Sequence, residues 1–316
     1  MYDVYSRQGV SYLSGFFYLM GLVLLGLFFG SLLSGGLWVL LTRQSIFTME
    51  KDMMNPKFAD AIRILQLVST FFIFFIPALI TAKILSRKPF RFLGFNFYFS
   101  IRQLGMVILI MLVSLPLVGA LSELNKLIPV SPSLAATFRK LEDTYEQQVK
   151  VLAHISGWGE YIISMIIMAF APAVFEETLF RGGLQNILQK MTKNPWISVG
   201  VTSVIFSIIH FSYYGFLPRV ALGVVLGLIY YYSQSIWLSI FAHFFNNAIV
   251  VTEMFYNSKQ GKPVEEAMNE SFPVWWGLIA AVVLILLFRL FSKFAAQDLQ
   301  AKKPAEDIAL DEQWMT

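Results

Sequence analysis

The chain has 316 residues, of which 57% are hydrophobic and only 14% charged, with a formal net charge of +4 and no cysteine. A soluble globular domain carries about 25% charged residues, so the composition points to a polytopic membrane protein. The missing thiol excludes disulfides, cysteine nucleophiles and cysteine-ligated metals, and the small positive excess reads as membrane topology and argues against a nucleic-acid partner.

Met1 to Val10 is polar and mixed, without the basic and apolar regions of a secretory signal, so the first span is expected to be retained. Apolar runs of about 20 residues or more predict membrane spans. The first covers Tyr12 to Leu41 and the second Ala61 to Leu85, with Pro77 inside it. Between the second span and the third (Leu104 to Leu121) lie Arg87, Lys88, Arg91 and Arg102, the densest short basic cluster in the chain. Basic loops stay on the cytoplasmic side, so this loop and both termini are placed in the cytoplasm. The segment 122–160 is polar, includes a helix-like run through Tyr145, and carries His154 in a Gly- and Ser-rich loop, where solvation explains it.

The fourth span starts near Tyr161 and is expected to end in Glu176-Glu177, after which Gly182-Gly183 relaxes the helix. Leu184, Ile187, Leu188 and Met191 then recur at helical spacing and predict an amphipathic segment on the inner membrane surface. The fifth span covers Trp196 to Phe211, the sixth Leu217 to Tyr232, the seventh Ile236 to Val251 and the eighth Val274 to Phe291. The loop between the last two carries Glu265-Glu266, read as a solvated pair. The expected fold is all-α: one membrane-embedded helical bundle over residues 1–291 with about eight transmembrane helices. A polar cytoplasmic tail, 292–316, is expected to be disordered.

Three polar clusters interrupt these apolar spans. A charge at bilayer depth costs roughly 2.5–3.5 kcal/mol, so such residues mark function by default. In the first, Glu177 and Arg181 lie four apart and pair on one helix face, which leaves Glu176 free about 100° further round. In the second, Phe206 precedes His210 by four; in the third, His243 precedes Asn247 by four, next to Asn246. Glu176 can serve as a general base and His210 can orient its water. His243 and Asn247 can donate to an oxyanion at a scissile carbonyl. No His-Glu-x-x-His, no intramembrane aspartate and no Gly-x-Ser-x-Gly is present. Ser207 and Ser239, each within a turn of a histidine, read as small residues at helix contacts.

Glu176-Glu177-x-x-x-Arg181, Phe206-x-x-x-His210 and His243-x-x-x-Asn247 resemble the three ordered motifs of the CPBP family. That family is also called Abi, or the type II CAAX prenyl endopeptidase-like intramembrane proteases. The resemblance covers about residues 161–251. It implies a membrane endopeptidase in which Glu176 and His210 activate water, His243 and Asn247 hold the oxyanion, and Glu177, Arg181 and Phe206 support them. The implied partners are membrane lipid and a peptide or membrane-protein substrate, in a bacterial inner membrane. The expectation is an enzyme without a cofactor. Two alternatives stand beside it: a zinc enzyme using Glu176, His210 and His243 as ligands, and a non-catalytic immunity or scaffold protein.

Overall fold

A computed structural model describes residues 6, 8–152, 155, 157–261 and 273–302. His154, Glu265-Glu266 and residues 303–316 of the tail lie outside the described residues. Among the described residues every regular element is helical, and seven helices are long and apolar enough to cross a membrane. These are α1 (Tyr12–Thr42), α2 (Pro56–Leu85), α3 (Ile101–Lys126), α5 (Trp158–Thr192), α7 (Phe216–Ser233), α8 (Ile236–Gln260) and α9 (Val274–Lys302). Between them lie α4 (Pro132–Leu152) and the shorter apolar α6 (Pro195–Ile208).

The bundle is packed as membrane chemistry dictates. Lipid is as apolar as leucine, so small residues face neighbouring helices and large apolar ones face outward. In α1 the buried positions include Gly15, Gly26, Gly30, Ser34 and Gly35, while Phe17, Leu24, Phe28 and Leu32 are exposed. Proline leaves its mark inside the spans. The backbone widens to π geometry over Phe71–Phe75, just before Pro77, and over Met165–Phe170, just before Pro172. A proline has no N–H to close the turn before it, and a π turn is one way of absorbing that loss.

Hydrogen bonds sort the connections onto two ends of the bundle. At one end, the α2–α3 loop accepts from Asn186 at Phe92 O (2.6 Å), from Ile236 N at Gly94 O (2.9 Å) and from Ser235 at Asn96 O (2.7 Å). Lys302 at the end of α9 donates to Phe99 O in the same loop. At the other end, Arg63 donates to Leu152 O at 2.8 Å, Asn125 to Tyr213 O at 2.8 Å and Ser258 to Ile155 O at 3.0 Å.

Five expectations need correction. The fifth of the eight spans is α6, whose 14 residues extend about 21 Å against a hydrocarbon core of about 30 Å. The turn after it therefore stops short, and α4 closes over it: Phe138 stacks on Tyr213 at 4.4 Å and Glu142 accepts from Ser212 at 2.8 Å. The fourth span does not end at Glu176-Glu177, because α5 runs on to Thr192 and puts the pair within the helix. Gly182-Gly183 does not relax it either; the backbone widens to π over Thr178–Gln185, and a Cβ on Gly182 would lie 2.7 Å from Leu93 O. Leu184, Ile187 and Leu188 are buried against Leu19 and Leu93 in the core, where a membrane-surface segment was expected. Finally, residues 292–302 are helical, held in place where Asp298 accepts from Ser100 and from Gln103 at 2.8 Å.

Candidate active site

Four helices converge on the site. From α5, Glu177 and Arg181 are fully buried and joined by Arg181 Nη1 donating to Glu177 Oε1 at 2.6 Å. Their i, i+4 spacing survives the π-widened turn. Arg181 also donates from Nη2 to Gly223 O on α7 at 3.2 Å, while its Nε has no hydrogen-bond partner. A buried ion pair repays its desolvation only with the help of further hydrogen bonds, and here two neighbouring helices supply all but the one that Arg181 Nε would make.

The second of those helices is α8. His243 Nδ1 lies 2.9 Å from Glu177 Oε1, and Ser239 Oγ donates to Glu177 Oε2. A carboxylate only accepts, so the imidazole proton facing it sits on Nδ1 and Nε2 is left for other work. That Nε2 lies 3.9 Å from Glu176 Oε2. Glu176, largely buried, thus points its carboxylate at the free edge of His243, while Glu177 holds the opposite edge.

From the end of α6, His210 is anchored in the same manner, with Nδ1 donating to Phe206 O at 2.7 Å. His210 sits just beyond the helix, and the next residue, Phe211, has φ of 50°. Left-handed backbone at a side chain with a Cβ costs about 1–2 kcal/mol, and strain of this kind collects at functional sites. Phe206 is the common neighbour of the cluster. The Arg181 guanidinium lies 4.8 Å from its ring centroid, the His210 ring 5.0 Å and the His243 ring 5.9 Å.

The structure therefore brings together Glu176, Glu177, Arg181, Phe206, His210 and His243. Asn247 lies one turn beyond His243 on α8, partly buried, with its Oδ1 accepting from Asn246 at 3.4 Å. Two features of the site go beyond what the sequence pattern predicts. Ser239, which precedes His243 by four and so shares its face, binds Glu177 as well as packing between helices, and Glu177 carries His243 as well as Arg181. Among the described residues, no three His, Asp or Glu side chains are grouped to hold a metal ion.

The fold and the site define a polytopic helical membrane protein with a carboxylate–imidazole cluster buried in its bundle. Residues 158–249 match the family model described as Type II CAAX prenyl endopeptidase Rce1-like. The resemblance drawn from the three motifs is borne out over those residues, with α1 to α4 and α9 outside the match. No curated protein and no solved structure matches the chain.

Proposed function

We propose that the chain is an intramembrane endopeptidase that hydrolyses a peptide bond of a lipid-proximal substrate with water activated by Glu176. The observation that carries this reading is the anchoring of both imidazoles at Nδ1, with the free Glu176 carboxylate facing the Nε2 edge of His243. A water held by Glu176 and by the bare Nε2 of His210 gives a hydrogen to each acceptor and keeps a lone pair for attack. Glu176 takes the proton as oxygen bonds to the scissile carbonyl carbon. The resulting oxyanion is held by Asn247 Nδ2–H and by His243 Nε2–H, the latter requiring a doubly protonated ring. The C–N bond then breaks and the proton passes from Glu176 to the leaving amine. No side chain is acylated.

The same anchoring supports a second reading. Metal-bound imidazoles also fix one nitrogen on a carbonyl or carboxylate and present the other. In that case Glu176, His210 and His243, which are not grouped as a metal site among the described residues, would have to close on a zinc ion that supplied the activated water. Four side chains cover both water activation and oxyanion binding without an ion, so we favour the metal-free reaction. Elemental analysis of active protein, with assay after exhaustive chelation, separates the two. Activity without stoichiometric metal is expected; zinc whose removal abolishes activity and whose return restores it would reverse the assignment.

The reading extends to a bacterial inner membrane location with cytoplasmic termini, supported by the basic α2–α3 loop. It also takes the substrate to be a peptide or membrane protein at the lipid boundary. The deciding experiment compares new peptide termini in membranes carrying the wild-type chain or Glu176→Gln at matched abundance. Termini that depend on Glu176 are expected. Identical terminal sets would sink the enzyme and favour a scaffold or immunity role.

A further inference from the structure

A turn joins the end of α6, where His210 stands, to the start of α7, and α7 begins without a cap of its own. Its N-cap residue is Gly215, which has no side chain to accept from the first N–H groups, and the Arg219 guanidinium fills the space a Cβ there would take. A helix start leaves such N–H groups unsatisfied unless something outside the helix accepts them. Phe216 N donates back to Tyr213 O at 3.1 Å and Pro218 has no N–H, which leaves Leu217 N. Its acceptor comes from another helix: Asn125 Oδ1, at the end of α3, takes it at 3.0 Å. The same amide donates from Nδ2 to Tyr213 O at 2.8 Å. Asn125 is 1% exposed, and turning its amide over would set N–H against N–H and oxygen against oxygen. One buried side chain thus spans the turn from Tyr213 to Leu217. Two serines work with it, Ser207 donating to Phe216 O at 2.8 Å and Ser212 accepting from Gly215 N at 3.1 Å.

We propose that Asn125 is a positioning residue for His210: by capping α7 and pinning Tyr213 it fixes the turn that ends α6. The His210 ring is anchored to its own helix, at Phe206 O, so its place against Glu176 and His243 follows the end of that helix. Asn125 lies outside the residues that match the family model, and α3 supplies it to the site from across the bundle. The catalytic meaning of the position rests on the hydrolytic reading above; the clamp itself does not. A displacement of about 1 Å at a reacting group costs about 10²-fold in rate.

The test compares Asn125→Leu, which keeps the shape of the side chain and loses both hydrogen bonds, with Asn186→Leu. The latter loses an interhelical amide bond to Phe92 O at the other end of the bundle. The full chain in detergent is labelled with nitrogen-15 histidine; the sequence has three histidines, and each ring is assigned by its own substitution. In Asn125→Leu, shifted His210 ring signals, unchanged His243 signals and faster amide exchange at Gly215 and Leu217 are expected. The rate at which Glu176-dependent peptide termini appear should fall about 10²-fold. Asn186→Leu should melt lower than wild type and leave the ring signals and the rate unchanged. Should Asn125→Leu not fold, Asn125→Ser, smaller and too short to reach both partners, carries the same readouts in the same direction. Unchanged His210 signals overturn the proposal. So does a shift of His210 and His243 alike, or the same change in Asn186→Leu, either of which would mean general loosening. Shifted His210 signals with an unchanged rate would leave the clamp in place and overturn its role in positioning. Wild-type membranes without Glu176-dependent termini would sink the hydrolytic reading and the catalytic role with it, a failure that the ring signals set apart from failure of the clamp.

Discussion

His243 is suspended from Glu177: its Nδ1 lies 2.9 Å from Glu177 Oε1, the oxygen that also receives Arg181 Nη1 at 2.6 Å. One buried carboxylate therefore holds the Nδ1–H edge of a site histidine on α8 and the guanidinium of an arginine on its own helix. Loss of this anchor should disturb chemistry before it disturbs binding. Glu177→Gln keeps an acceptor but loses the charge, and the equivalent change in a Ser-His-Asp triad costs about 10⁴-fold in kcat. We expect kcat to fall by about 10²–10⁴ with KM within a few-fold. Ser239→Ala removes one hydrogen bond to the same carboxylate and should lower stability by about 1.5–3 kcal/mol. Steady-state kinetics and melting of the purified variants check both.

Arg181 and Glu176 should separate stability from activity. Arg181→Ala leaves Glu177 buried with its main countercharge gone, a change that costs about 3–5 kcal/mol. The cationic group facing Glu176, His243 Nε2, stands 3.9 Å off, beyond hydrogen-bond distance, so Glu176→Gln should melt close to wild type while losing about 10²–10⁴-fold in cleavage. Melting curves in detergent that ranked the two the other way would refute this division of labour.

A double-mutant cycle tests the pair itself. Arg181→Ala/Glu177→Gln removes the orphaned charge as well as its partner, so its destabilisation should be smaller than the sum of the single changes, by about 1–3 kcal/mol. Strict additivity would mean that the two side chains do not interact.

Gly223 joins the site to the packing of α6 against α7. Its carbonyl accepts from Arg181, and a Cβ added there would meet the Ser203 Cβ at 2.9 Å and Cα at 3.0 Å. The backbone atom cannot swing aside, so Gly223→Ala must part the two helices, at a cost of about 1–3 kcal/mol. A lowered melting temperature is expected, with partial recovery when Ser203→Gly is added. Wild-type stability of Gly223→Ala would show that the contact yields.

The two-ended arrangement of connections can be read directly, because the chain has no native cysteine. Single cysteines at Arg87, Lys57 and Lys126 should divide between a membrane-impermeant thiol reagent added outside and one added inside. Arg87→Cys is expected to label from the cytoplasm, and Lys57→Cys and Lys126→Cys from the opposite side. Labelling of all three from one side would break the topology; a division in the reverse sense would keep the fold and invert its orientation.

Much of the site was legible in the sequence because it obeys local geometry. Glu177 and Arg181, Phe206 and His210, and His243 and Asn247 are each four apart, and a helix puts such pairs on one face whatever surrounds it. Charged and polar side chains inside apolar spans have no water to turn to, so their presence alone singled out Glu176, His210 and His243. The membrane class and the helical fold followed from composition and run length, since only helices and closed barrels satisfy their backbone in lipid. Tertiary structure decided what depends on the register between helices. Glu177 and His243 are 66 residues apart, and nothing local to either states that they touch. The sharing of Glu177 between Arg181 and His243, the hydrogen bond from Ser239, and the meeting of Lys302 with the α2–α3 loop come from how α5, α8 and α9 pack. The π-widened turns before Pro77 and Pro172 and after Glu177 reset the helical phase along α2 and α5, so a 3.6-residue count along the sequence cannot say which side chains finally face inward. The helical state of residues 292–302 has the same origin: a polar stretch is ordered because Ser100 and Gln103 of α3 meet Asp298, a contact that exists only once the helices are side by side.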